Sequence, residues 1–402
     1  MCVLLAAGQA LYGADERYRL LADTEGQLGS VVLAVNSARR AALRNAGLVS
    51  NIVNGLPEIL QVNILANDLA AFTVANNPWP GRIHFIEVPA SNPITIWTQD
   101  PFLVLRDEAG KTLLLKSREF ERAGDSLLAD VLGEFAGYPL RRSALFFEGG
   151  NVVSDSDYVF IGANTIRYNA VKLGQPEEEV VVAFQEELGR PVLVVGPFPQ
   201  PVAHIDMMLT PLGDGRLALA DPGAGADMAE RALANQPESV AAFEDFCEQT
   251  FFGHPAIGQI SASQGQLIRP PSLSGHTREM AVRSREIAPV LDGIAAAMAG
   301  FGYEVVRIPW LYGGPEISLA DEETGSAPSA AYPMLTYNNV LIERTTQTER
   351  VYLPRYGWSA MDQAAEKAWR DLGFETTAIE GLTTSAMYGG ALRCSVKVLK
   401  RN

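Results

Sequence analysis

The sequence predicts an α/β fold assembled from repeated ββαβ-like units. Strand-like hairpins alternate with single helix-like stretches several times along the chain. No glycine-rich dinucleotide fingerprint and no phosphate loop accompanies that rhythm, which argues against a Rossmann sheet. No segment reaches the ~18 uninterrupted apolar residues that a membrane span requires.

Taken in order, residues 61–65 read as a strand, 68–75 as a helix and 82–88 as a further strand. Residues 102–106 and 111–116 form a hairpin across Asp107-Glu108-Ala109-Gly110. A helix over 125–135 follows, with Asp125 placed as its N-cap. Residues 151–153 and 158–161 flank a polar turn. Residues 176–188 form a helix whose first turn is acidic, and 191–195 form a strand. A second hairpin joins 206–212 to 216–220 across Gly213-Asp214-Gly215. Residues 278–299 read as a long helix, 303–308 and 335–342 as strands, 358–372 as a helix and 374–379 as a strand. The last apolar run, 394–399, reads as a buried strand. Residues 235–275, rich in Gly, Pro, Ser and Gln, break the rhythm and read as an inserted flap. No linker divides the chain, so residues 1–402 are expected to form one domain.

Bulk properties narrow the function. With 47% apolar and 20% charged residues, the composition is that of a globular protein. A formal charge of −15 disfavours nucleic acid and anionic membranes and attracts small cations. The three cysteines (Cys2, Cys247, Cys394) are widely spaced, so neither a disulfide framework nor a zinc motif is legible. The four histidines are scattered as well, and no metal site is expected. A reduced, cytoplasmic setting is expected. The alternative is that the short apolar start, which lacks a basic region, is a truncated export signal.

Four polar clusters carry candidate chemistry. Met387-Tyr388-Gly389-Gly390 precedes Ala391-Leu392-Arg393-Cys394; the paired glycines let backbone and ligand approach the sulfur closely. In His204-Ile205-Asp206 an imidazole and a carboxylate would share one face of a strand, joining proton transfer to cation binding. In Phe146-Phe147-Glu148-Gly149-Gly150-Asn151 a glutamate beside apolar rings needs a partner, and a histidine would suit. In Trp97-Thr98-Gln99-Asp100 a carboxylate beside an indole makes a cation site.

The order W-x-x-D, E-G-G-N, H-x-D, G-G-x-x-x-C resembles the guanidino-group-modifying enzymes of the pentein superfamily. Tyr337-Asn338-Asn339-Val340 and the 351–357 run look most like the agmatine deiminase branch. Two positions depart from that branch. It usually has Trp-x-Arg-Asp, where this chain has Gln99, as in peptidyl-arginine deiminases. It also usually has His before the nucleophile, where this chain has Arg393.

The resemblance implies a five-bladed α/β propeller of ββαβ repeats around a central site. It implies Cys394 as nucleophile, His204 as proton carrier and Glu148 as the residue orienting it. Asp100, Asp206, Trp97, Asn151, Gly390 and Arg393 are implied to bind substrate. No cofactor and no metal is expected. The expected partner is a small cationic guanidino compound or an arginine peptide; homo-oligomerisation is compatible with the sequence. The reaction expected is hydrolysis to a ureido product and ammonia. Alternatives are amidino transfer from the same site, a non-catalytic binding protein like the ribosome anti-association factors of this superfamily, and a metal hydrolase built on His204 and Asp206. Free arginine would need a cation for its carboxylate, which Arg167, Arg355 or Arg393 could supply.

Overall fold

The computed structural model describes residues 18–36, 39–68, 80–252, 274–313, 316–318, 329–331 and 333–402. Long apolar runs such as Val192–Val195 are buried on both faces, as expected for strands covered by helices. Helices stop where the sequence provides for it. Glu177–Leu188 has three glutamates in its first turn and ends at Gly189, whose φ of +67° suits a residue without Cβ. Pro222–Asn235 opens with proline, and the Asp221 carboxylate accepts from the Ala224 amide at 2.8 Å.

These elements form five ββαβ units. In each, the second strand is antiparallel to the first and parallel to the third, with helix between second and third. The first unit comprises Lys397–Arg401, Leu28–Ala34 and Gln61–Ala66, with helix Arg39–Gly55 and an added strand Ile83–Glu87. Its first strand thus comes from the far end of the chain. The second comprises Phe102–Arg106, Thr112–Lys116 and Leu140–Arg142, with helix Leu128–Ala136. The third comprises Val152–Ser154, Val159–Gly162 and Val192–Val195, with helices Ala163–Leu173 and Glu177–Leu188. The fourth comprises Leu209–Gly213, Arg216–Asp221 and Glu304–Leu311, with Pro222–Asn235, Pro237–Phe252 and His276–Gly300 between the last two. The fifth comprises Leu341–Arg344, Glu349–Pro354 and Glu375–Ile379, with helix Ser359–Asp371.

The first strands surround a narrow axis. A cavity of about 30 Å3, room for a water or two, lies between Leu103, Val104, Val152, Leu341 and residues 396–398. Residues 20–23 also line it. Asp23 is fastened there by Ser154: the Asp23 amide donates to the Ser154 carbonyl, and the Asp23 carboxylate accepts from the Ser154 amide.

Several sequence expectations are corrected. Asp125 does not cap a helix; it begins a 3-10 turn, Asp125–Leu127, and its carboxylate turns to the Thr95 amide and hydroxyl. The strand expected over 206–212 begins at Leu209, and residues 205–207 form a 3-10 turn. The strand expected over 335–342 is two strands, Leu335–Thr336 and Leu341–Arg344, separated by Asn338 and Asn339. Cys394 lies in a 3-10 turn, Arg393–Ser395, and the strand starts only at Lys397. In the last three cases apolar alternation concealed a turn, because the turn residues are themselves buried. Within 235–275, Pro237–Phe252 is a helix rather than a flap; residues 253–273 lie outside the described residues, as does most of the helix expected over 68–75. Among the described residues no helix is long and apolar enough to cross a membrane.

Candidate active site

The turn before the first strand of each unit carries a polar side chain to the axis. Cys394 precedes the first unit's strand, Asp100 the second's, Glu148 the third's, His204 and Asp206 the fourth's, and Asn339 the fifth's. A ring of hydrogen bonds ties these turns together. The Gln99 amide donates to the Cys394 carbonyl at 3.3 Å, and the Gly149 amide donates to the Asp100 carbonyl at 2.9 Å. Asn151 donates to the Ala203 carbonyl at 2.9 Å and accepts from the Ile205 amide at 3.2 Å. Asn339 donates to the Asp206 carbonyl at 3.4 Å, and its Oδ1 accepts from the Cys394 amide at 3.1 Å. Every neighbouring pair of units is therefore coupled at the site.

Cys394 is 4% exposed, with Sγ 4.0 Å from Asp206 Oδ2 and 3.7 Å from Met207 Sδ. Asn339 Nδ2 donates to Sγ at 3.2 Å. Burial, reinforced by the negative charges of Asp206 and Asp100, pushes the thiol well above its ordinary value. With these neighbours alone the sulfur is therefore protonated at neutral pH.

Two carboxylates flank it. Asp100 Oδ2 accepts from Arg122 Nη2 at 2.7 Å, and Asp206 Oδ2 accepts from Arg393 Nη1 at 2.9 Å. The other oxygen, Oδ1, of each is buried and lacks a hydrogen-bond partner among the described residues. Such an orphan is costly unless a ligand supplies the donor. Burial raises the Asp206 pKa, although Arg393 and His204 restrain the rise.

His204 Nε2 lies 2.5 Å from Glu148 Oε2, and its Nδ1 lies 3.7 Å from Asp100 Oδ1. Burial works against a charged imidazole, but Asp100 and Glu148 overcome it and raise His204 to about 9. Burial likewise opposes ionisation of Glu148, yet the bond to His204 holds its carboxyl below the usual range. The expected shared strand face for His204 and Asp206 is replaced by an extended His204 entering the 3-10 turn, which still brings both to one space.

The glycines have steric reasons. A Cβ on Gly150 would stand 2.5 Å from His204 Nδ1, and one on Gly149 would collide with the Gln99 carbonyl. A Cβ on Gly390 would enter the Trp97 ring, so Gly390 seats the indole. Trp97 is partly buried and packs against the apolar cluster that includes Cys394.

Two residues expected to bind substrate are engaged with neighbouring residues. The Asn151 side chain bonds to Ala203, Ile205 and Gln200, so it braces the His204 turn. Arg393 is buried and bonded to Asp206, Asp23 and the Val152 carbonyl. Sequence reasoning missed Arg122 and Asp23, which no motif marks, and read Asp125 only as a helix cap. It also missed the site role of Asn339, noticed only within a resemblance. Lys397 escaped notice too: it is buried, donates to the Gln99 carbonyl at 3.1 Å and sits 5.2 Å from the Phe102 ring centroid. Among the described residues no group of three His, Cys, Asp or Glu could hold a metal ion.

No family model matches the chain, and no curated protein matches it by sequence. Solved structures do match, over nearly the whole length. With the agmatine deiminase of C. jejuni the TM-score is 0.62 at 12% identity, covering 98% of this chain and 99% of that one. With the agmatine deiminase of Enterococcus faecalis the TM-score is 0.58 at 13% identity, covering 96% of each. The chain therefore has the pentein fold, a five-bladed α/β propeller, and the five ββαβ units are its blades.

Proposed function

We propose that this protein hydrolyses a guanidino compound to a ureido product and ammonia. The observation that supports the reading is the pair of buried carboxylate oxygens, one on Asp100 and one on Asp206, that lack a hydrogen-bond partner among the described residues, beside a buried thiol. A guanidinium is planar, permanently charged and rich in N–H donors, which is the ligand such acceptors require.

The chemistry follows from charge. Binding of the cation offsets the carboxylates that raise the Cys394 pKa, so the thiol releases its proton and becomes a nucleophile. The thiolate adds to the guanidinium carbon. His204, protonated at neutral pH, gives its proton to one nitrogen; that C–N bond breaks and ammonia leaves a covalent amidino-thioether. Water then adds to the same carbon and returns a proton to His204. The C–S bond breaks, the sulfur departs as thiolate, and the ureido product loses its remaining extra proton to solvent. Glu148 orients the imidazole throughout.

Agmatine, after which both neighbouring deiminases are named, is the first substrate to test. The three arginines considered for an α-carboxylate are engaged with acids: Arg167 with Glu177, Arg355 with Glu366 and Glu380, and Arg393 with Asp23 and Asp206. This favours a substrate that lacks that carboxylate over free arginine. The test is a screen of agmatine, arginine, methylated arginines and an arginine peptide, reading ammonia and ureido product. Turnover that vanishes in a folded Cys394→Ser variant is expected. Undiminished turnover in that variant, or amidine transferred to an added amine in place of urea formation, would sink the proposal.

A further inference from the structure

Each carboxylate facing the ligand space belongs to a chain of three charges. Asp206 is held by Arg393, and Arg393 Nη2 in turn donates to Asp23 at 3.0 and 3.2 Å. Asp100 is held by Arg122, whose Nε donates to Asp125 at 2.7 Å. The two chains use different units and different stretches of sequence, yet the order is the same: acid, arginine, acid. In both, the inner acid keeps one buried oxygen, Oδ1, without a hydrogen-bond partner among the described residues.

The order has an electrostatic consequence. A carboxylate paired with one guanidinium sums to zero charge and attracts a cation only through its dipole. A second carboxylate on the same guanidinium restores a net charge of −1. Lone Arg–carboxylate pairs at Asp100 and Asp206 would give rigid acceptors without the attraction a cation needs; lone carboxylates would give charge without orientation. The triads give both. The outer acids are anchored independently: Asp23 accepts from the Ser154 amide at 2.9 Å, and Asp125 accepts from the Thr95 amide and hydroxyl at 2.7 and 2.6 Å.

We infer that Asp23 and Asp125 are charge-balancing positioning residues. They neutralise Arg393 and Arg122 so that Asp206 and Asp100 retain the net negative charge that selects a cationic ligand. Neither touches the ligand space. This rests on the guanidino-hydrolase reading for its ligand, but the charge arrangement stands on the geometry alone.

Asp23→Asn is the test, because Asn keeps an oxygen for the Ser154 amide and the position is partly exposed. KM for the guanidino substrate should rise roughly tenfold with kcat changed less than about threefold, the size one lost charge near the site produces. Inhibition by the neutral ureido product should be unchanged, and Asp23→Glu should recover most of the substrate affinity. Wild-type KM in Asp23→Asn, or equal losses for substrate and neutral product, would overturn the inference and leave the hydrolase reading intact.

A second measurement does not depend on turnover. Alkylation of Cys394, followed by peptide mass spectrometry across pH, should reach half-maximal rate at lower pH in Asp23→Asn. There the Arg393 charge is no longer balanced by Asp23, and it offsets more of the Asp206 charge that holds the thiol up. An unmoved alkylation profile refutes the inference. A moved profile in a protein that turns over no guanidino compound supports the charge arrangement while removing the proposed reaction.

Discussion

Glutamine at position 148 would keep the size and hydrogen-bonding capacity of Glu148 and remove its charge. His204 rises from 6.5 to about 9 in this site, a preference for imidazolium worth about 3 kcal/mol after burial has taken its toll. Two acids lie within ion-pair range of its ring: Glu148 at 2.5 Å and Asp100 at 3.7 Å. Glu148 makes the hydrogen bond, so its charge should account for about half of the net effect, about 1.5 kcal/mol. In Glu148→Gln the His204 pKa is therefore expected to fall by about one, toward 8. The sign follows from the proposed role: if imidazolium donates the proton to the leaving amine, activity declines as pH rises through the folded pKa. The alkaline limb of kcat/KM should move from near pH 9 down toward pH 8. A titration of the His204 ring by NMR in the Cys394→Ser background should move by the same amount. The same rise makes protonated His204 a stabilising group below pH 6.5, with the contribution lost as pH climbs through about 9. An alkaline limb that stays in place while the ring resonance titrates as in wild type would refute the account of His204.

Three further outcomes are expected. Gly150→Ala puts a methyl group 2.5 Å from His204 Nδ1, so kcat/KM should drop at least about a hundredfold while circular dichroism stays native; a drop below tenfold would mean the ring is free to move. Asn339→Ala removes the donor to Sγ and the acceptor of the Cys394 amide together. Turnover should fall by about tenfold or more, and alkylation of Cys394 should require higher pH; a shift to lower pH would contradict the assignment of that contact. Lys397 is lowered from 10.5 to about 7, by burial first and then by Arg393. A depressed lysine weakens the fold as pH falls from 10.5 through 7, because the unfolded chain binds the proton more tightly. Urea unfolding of Lys397→Met should therefore show its stability relative to wild type improving by about 2 kcal/mol or more between pH 10 and pH 6. A difference independent of pH would show that the buried amine stays charged.

The repeating fold was legible because its signal is local. Hairpins and helices announce themselves by period, and the boundaries at 102–106, 176–188 and 374–379 needed little revision. The site was legible only where chemistry and glycine coincide, as in Glu148-Gly149-Gly150 and Gly389-Gly390 before Cys394. Of these glycines, Gly149, Gly150 and Gly390 answer a steric demand made by Gln99, His204 and Trp97, residues remote in sequence. What stayed hidden has no local signature. Arg122 sits in the charged run Arg118-Glu119-Phe120-Glu121-Arg122, which reads as solvated surface, and Asp23 lies near one end of the chain beside nothing distinctive. Their meaning arises only when folding places each against an arginine–carboxylate pair. The turns were missed for a related reason. Ile205, Met207 and Val396 are fully or almost fully buried, so a 3-10 turn at the axis has the hydrophobic pattern of a strand.

The position of those turns explains why the chemistry is spread so widely. In a ring of five like units, the residue just before each first strand arrives at the same central space. One such residue can be changed without altering the unit that carries it. Here the five positions hold a thiol, two arginine-held carboxylates, an imidazole with its glutamate, and an amide that binds sulfur and backbone together. No unit contains more than part of the machinery, so precision depends on the seams between units. Those seams are the backbone and amide bonds from Gln99 to Cys394, Gly149 to Asp100, Asn151 to the His204 turn, and Asn339 to both Asp206 and Cys394. Loss of a seam residue such as Asn151 should therefore damage catalysis far more than stability. The apolar cores of the units remain intact, while the His204 turn loses its brace against the neighbouring unit.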